Sequence, residues 1–179
     1  MALECVSCNL QKNLLRTNTC GYSLPEVKDI YIANYNDVTS APACDCESGV
    51  TISAITMVTG TTFYHIEPAK NSVTFTDELV VEDNGNKYRT HTITFNIAGK
   101  YDKDMVCPVD ALSLGRFFVV VATADGEYLA LGRGAGMEAT EQSISGGGDN
   151  NGITVTLSAN VTETAIPLSA AAIATVKGE

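Results

Sequence analysis

The chain has 179 residues, enough for one domain whose core needs neither disulfides nor metal to hold it. With 45% hydrophobic and 18% charged residues it is a folding sequence, and its abundance of Thr, Val, Ala and Gly points to strands and turns. A formal net charge of −10 disfavours a DNA-groove or anionic-membrane binder, which needs Lys and Arg against phosphate; it fits plain solubility, or a surface that nucleic acid passes without sticking.

The start, Met1-Ala-Leu-Glu-Cys5, lacks the basic and apolar segments of a signal peptide, and no window reaches the apolar length of a membrane span. The expectation is therefore a protein made in a cytoplasm, with reduced cysteines and no membrane partner. Residues 1–26 show no periodicity and read as an arm, irregular or engaged between subunits, ahead of a single domain over 27–179. The arm holds Cys5, Cys8 and Cys20. Together with Cys44 and Cys46 these are the only candidate zinc ligands, but one CxxC and one CxC do not make a paired zinc motif, so free thiols and no metal are expected.

Lys28 to Val38, with Ile30, Tyr31, Ile32 and Tyr35, is a predicted strand, followed by a loop over Ala41-Pro42-Ala43 and Cys44-Asp45-Cys46. Val50 to Thr59, rich in β-branched residues, and Thr61 to Ile66, stopped by Pro68, are two more. Asn71–Glu82 and Lys87–Ala98 then flank Asp83-Asn84-Gly85-Asn86, a long hairpin. Val73, Phe75, Leu79 and Val81 share one face of the first arm. Ile93, Phe95 and Ile97 share one face of the second, and Thr90, Thr92 and Thr94 the other. A two-residue turn would set Phe75 against Thr94, apolar against polar. A three-residue loop over Asn84–Asn86 pairs Phe75 with Phe95, Val73 with Ile97 and Leu79 with His91, with Asp77 diagonal to the histidine. A one-residue slip inverts the faces, so an odd loop with Gly85 or Asn86 left-handed is predicted.

Such arms exceed the usual ~5–6 residues of a strand, and the tip is charged, so the hairpin is expected to protrude and be covered by another copy. That makes Asp77, Leu79, Val81, Asp83, Asn84 and Gly85, with Lys87, Tyr88 and Arg89, candidate subunit contacts. The plainer alternative is two ordinary core strands with a polar turn.

Asp102 to Leu114 is a predicted helix, capped by Cys107, with Pro108 first in the helix and Gly115 just past its end. Phe117–Ala124 and Tyr128–Leu131 form a second hairpin about a two-residue Asp125-Gly126 turn. Its first strand is apolar on both faces. It is therefore either central in a sandwich or covered by a neighbouring subunit, which adds Phe117 and Val119 to the candidate contacts. Met137–Glu141 and Ile153–Ala159 are further strands between glycine turns, and Pro167–Val176 is a short helix or a terminal strand. The sum is a mainly β chain: an antiparallel β-sandwich or barrel with one short flanking α-helix and a long protruding hairpin.

Chemistry is sparse. His65 and His91, the two histidines, both lie in strand patterns with no nucleophile marked beside them. Gly132-Arg-Gly134-Ala-Gly136-Met137 lacks the last glycine and the helix of a dinucleotide fingerprint, and Asp149-Asn-Asn-Gly152 lacks the closing Glu of a calcium loop. The sequon Asn160-Val-Thr162 has no bearing on a protein that is not exported. No catalytic residue and no cofactor are expected.

Three stretches carry a family resemblance: Lys28-Asp-Ile-Tyr-Ile-Ala-Asn-Tyr-Asn-Asp-Val38 after a Cys- and Gly-bearing start; the hairpin Val73–Ile97 followed by helix and strand; and Gly-Asp-Asn-Asn-Gly-Ile-Thr-Val-Thr-Leu157 after a Gly-Met-Glu segment. In these the chain resembles the tail tube proteins of tailed bacteriophages, particularly phages of gut Bacteroidetes. The resemblance implies a structural virion protein, not an enzyme, whose hexameric rings stack into a tube with a continuous inner β-barrel. Its partners would be copies of itself and other tail proteins, with DNA passing only transiently and without sequence-specific binding. The cysteine-bearing start has no place in the family pattern. The alternatives are another tail or injection-apparatus part (a terminator, completion or injection-tube subunit) or a monomeric binding sandwich, which the absence of Trp disfavours.

Overall fold

The computed structural model describes residues 26–43, 50–99, 101, 103–147 and 152–178. The elements in chain order are β1 (Val27–Asn34), a 3-10 turn (Tyr35–Asp37), β2 (Val38–Ser40), β3 (Thr56–Met57), β4 (Tyr64–Ile66), β5 (Thr74–Val81) and β6 (Lys87–Ile97). There follow α1 (Val106–Leu114), β7 (Arg116–Thr123), β8 (Tyr128–Leu131), β9 (Met137–Ser145), β10 (Gly152–Val161), β11 (Ile166–Pro167) and α2 (Ala170–Lys177). Nine strands form one sheet in the order β11-β8-β7-β9-β10-β6-β5, with β1 on the other edge of β7 and β4 on β1; β2 and β3 pair separately. The fold is mainly β and its strand ladders are antiparallel.

β7 organises the interior. Its side chains alternate between two cores, as period-two geometry requires of a strand apolar on both faces. Phe117, Val119 and Val121 join Ile30 and Ile32 of β1 and the inward residues of β6 and β10, among them Phe95, Val155 and Leu157. The two halves of the long sheet thus lie face to face, as in a sandwich. Phe118 and Val120 point the other way, against Ile52, Ile55, Phe63 and two residues one helical turn apart on α2, Ala172 and Val176. Ser169 starts α2 by accepting a hydrogen bond from the Ala172 amide (3.3 Å) and itself donates to the Ser53 carbonyl (2.8 Å), which fastens the helix over the second core.

Several expectations need correction. Both faces of β7 are covered from within the chain, so Phe117 and Val119, buried in the first core, are not surface contacts. The β5–β6 hairpin has the expected odd loop and alternation of faces, but its register lies two residues from the predicted one. Phe75 pairs with Ile93, Asp77 sits directly opposite His91, and Leu79 faces Arg89. The reason is the closing pair. The Glu82 amide donates to the Asn86 carbonyl (2.9 Å), leaving Asp83-Asn84-Gly85 as the loop, with Gly85 left-handed at φ +85°. The second hairpin repeats this device. The Thr123 amide donates to the Glu127 carbonyl (2.9 Å), so its loop is Ala124-Asp125-Gly126 rather than two residues, with Gly126 at φ +90°.

Val50–Thr59 is a strand only at Thr56–Met57. Its Ile52 and Ile55 fill the second core, but its backbone makes isolated bridges rather than a ladder: the Ile52 amide donates to the Pro167 carbonyl of β11 (2.9 Å) and the Ser53 amide to the Pro42 carbonyl (3.1 Å). There the β-branched composition reported burial, not a ladder. α1 begins at Val106, so Pro108 is its third residue and Cys107 does not cap it; first-turn amides have no helical partner, which makes proline harmless there. The C-terminal segment is a second helix.

Candidate assembly surface

β9, β10, β6 and β5 form a four-strand strip whose inner face makes the first core. The outward face carries alternate residues: Thr74, Thr76 and Glu78 on β5; Thr90, Thr92, Thr94 and Asn96 on β6; Thr154, Thr156, Ser158 and Asn160 on β10. Glu138, Glu141 and Ser143 of β9 lie opposite Ser158, Thr156 and Thr154. The rows bond across strands. Thr94 and Thr156 hydroxyls are 3.0 Å apart and those of Thr92 and Ser158 3.2 Å. Thr90 donates to Asn160 Oδ1 (3.0 Å), and Asn96 Nδ2 to the Thr154 hydroxyl (2.9 Å). These polar groups satisfy one another rather than reaching outward. None of these positions is Lys or Arg, and Arg116, across from Glu138 on β7, is ion-paired to it at 2.8 Å.

Among the described residues neither long edge of this strip is paired to a further strand over most of its length. β5 pairs only with β6. β9 pairs with β10 along its length and meets β7 only through Met137 and Glu138, so no strand pairs Thr140 to Ser145; α1 packs beside this edge instead, its Ser113 hydroxyl donating to Gln142 Oε1. The β5 edge ends in exposed apolar side chains, Leu79 and Val81, each 57% accessible, beside the exposed tip Asp83-Asn84-Gly85 and Lys87; Tyr88 is half-buried. The hairpin overhangs less than its length implies. β6 is paired with β10 from Arg89 to Ile97, so only the tip runs beyond the sheet.

At the base of that tip lies a buried polar cluster. Asp77 Oδ1 accepts from Arg89 Nε (2.5 Å), and its Oδ2 from the Ala165 amide (3.0 Å). Burial alone would raise this carboxyl, but those hydrogen bonds and the charges of His91 and Arg89 leave it below the ordinary 3.8. Asp77 and Arg89 are therefore spent on each other, not offered to a partner. His91, 1% exposed, accepts at Nδ1 from the Gly132 amide (3.2 Å), and its Nε2 stands 3.4 Å from Asp77 Oδ1. Burial holds the ring below its ordinary 6.5, against the pull of Asp77 and Glu163. Beside it, Arg133 Nε donates to Glu163 Oε1 (2.8 Å), Nη2 to Oε2, and Nη1 to the Ala41 carbonyl (2.7 Å). No spacing in the sequence marked that pair.

His65 lies apart from this cluster, 2.8 Å from Asp29 and stacked on Tyr31 with centroids 4.9 Å apart. An apolar groove of about 780 Å³ runs between α1, β1 and β4, lined by Ile32, Tyr64, Ile66, Met105 and Leu112. Cys5, Cys8, Cys20, Cys44 and Cys46 lie outside the described residues, as does the arm reading of 1–25; Cys107 is exposed on α1. Among the described residues no three His, Cys, Asp or Glu side chains converge as metal ligands, and no helix is long and apolar enough to cross a membrane. No protein-family model, curated protein or solved structure matches the chain.

Proposed function

We propose that this chain is a non-enzymatic structural subunit that assembles with copies of itself into stacked rings, forming the tail tube of a tailed bacteriophage through which DNA passes. The observation that carries the reading is the four-strand strip with one hydroxyl face between two edges that no further strand completes, the β9 edge flanked by α1. If β5 of one copy adds to β9 of the next, the contact is head-to-tail, and such contacts close into a ring when the rotation per copy allows. The hydroxyl face then runs unbroken around the inside. A wall of mutually bonded hydroxyls, carrying Glu78, Glu138 and Glu141, offers phosphate nothing to hold, which suits passage rather than binding. The resemblance noted from the sequence supports the same reading, and the virion is the location it implies.

Negative-stain microscopy and sedimentation of the purified protein test it, with rings or open-ended tubes expected. Leu79→Lys together with Val81→Lys should leave a folded monomer of unchanged melting temperature that no longer assembles, since both side chains are exposed at the open edge. A wild-type protein that stays monomeric at high concentration in every buffer tried would refute the proposal.

A further inference from the structure

The polar cluster beneath the hairpin tip joins three parts of the chain. His91 and Arg89 come from β6, Asp77 from β5 and Gly132 from the turn between β8 and β9; Ala165 and Glu163 come from the loop after β10, with Arg133 held against Glu163. Two cluster hydrogen bonds tie the hairpin to those two loops: Gly132 N–H to His91 Nδ1, and Ala165 N–H to Asp77 Oδ2. An amide can only donate, so Nδ1 must accept and the ring proton sits on Nε2. Among the described residues Nε2 has no hydrogen-bond partner, and the Asp77 oxygen 3.4 Å away is already occupied by Arg89.

A second proton, taken from solvent at Nδ1, would set N–H against N–H, cost Gly132 its acceptor and leave a cation in a fully enclosed site. Asp77 and Glu163 offer partial compensation, but Arg89 and Arg133 already engage them. The strain is relieved if the two loops lift off and the ring reaches water. We propose that His91 is an acid-released latch, closing the Gly132–Gly136 turn and the Thr162–Ala165 loop onto the β5–β6 hairpin at neutral pH and freeing them on acidification. Its consequence for assembly, a mobile support under the β5 edge, rests on the tube reading; the latch itself does not.

The sign follows from linkage. The closed state holds the ring below 6.5 and the open state returns it there, so closure is fully favoured above 6.5 and is lost as pH falls below it. Each pH unit below 6.5 favours opening by at most about tenfold, until the closed-state ring itself takes up a proton. Hydrogen exchange of the Gly132 and Ala165 amides, corrected for intrinsic rate, reads this directly in the full-length protein. Between pH of about 7.5 and about 5.5 both protection factors should fall in wild type, by up to about tenfold. They should hold steady in His91→Asn, whose side-chain carbonyl can still accept from Gly132 but does not titrate. Equal behaviour of the two proteins would overturn the latch. Should the variant not fold, the wild-type ring is followed by NMR, and its protonation with both amides still protected would overturn it equally. Sedimentation at both pH values separates the two readings. Loss of protection without assembly at either pH upholds the latch and refutes the tube; assembly with unchanged protection does the reverse.

Discussion

Arg133 and Glu163 are each almost wholly buried and complete each other's hydrogen bonds, the guanidinium adding the Ala41 carbonyl. Removing one partner strands a charge in the interior. Glu163→Gln should therefore lower the unfolding free energy by about 3–5 kcal/mol in a urea titration, while the joint replacement Arg133→Met and Glu163→Leu should recover most of that loss, because no unpaired charge remains. The sequence offered no warning of this pair. Arg133 stands in a glycine-rich turn that invited only a weak cofactor comparison, and Glu163 in a run of Thr and Ala. What joins them is tertiary, and only Asp77 and His91, on neighbouring arms of one predicted hairpin, were legible as near each other.

Both hairpins close with three residues whose last is a left-handed glycine. Gly85 has open space around its α-carbon, so adding a methyl there meets nothing but its own backbone, and the same holds at Gly126. Gly85→Ala and Gly126→Ala should each cost about 1 kcal/mol by thermal or urea unfolding, with the register kept. At this scale the sequence was informative wherever period-two alternation was strong. β5, β6, β7 and β10 all appear where the pattern placed them, and the apolar faces fixed the parity of the first loop. Parity does not fix the count, however, and the Glu82–Asn86 closing pair set a register two residues away. Val50–Thr59 failed for a different reason. Its Ile52 and Ile55 are apolar because they are buried, and composition cannot say whether buried backbone will form a ladder or only isolated bridges.

For the molecule as a whole, the proposed function rests on the hydroxyl strip and its unpaired edges. Its Thr-x-Thr rows were visible one strand at a time; that they align into a single face depends on the β6–β10 and β9–β10 registers, which no local pattern encodes. If the strip lines a passage, its lack of cations matters more than its acidity. Asn160→Lys, an exposed change on β10 between the two edges, should leave assembly intact but make tubes that retain duplex DNA in a salt-sensitive way, measured by fluorescence anisotropy against wild-type tubes that retain none.

The placement of β7 between both cores also sets a schedule. β1 is made well before β7, yet the first-core face of Ile30 and Ile32 is completed only by Val119 and Val121, and β4 alone cannot shield it. Pairings this remote along the chain are slow to form. A nascent chain paused anywhere in the β5–β6 hairpin carries a strand paired on one edge and bare on its first-core face, which makes that interval of synthesis the one most open to chaperone capture or misassociation with sister chains.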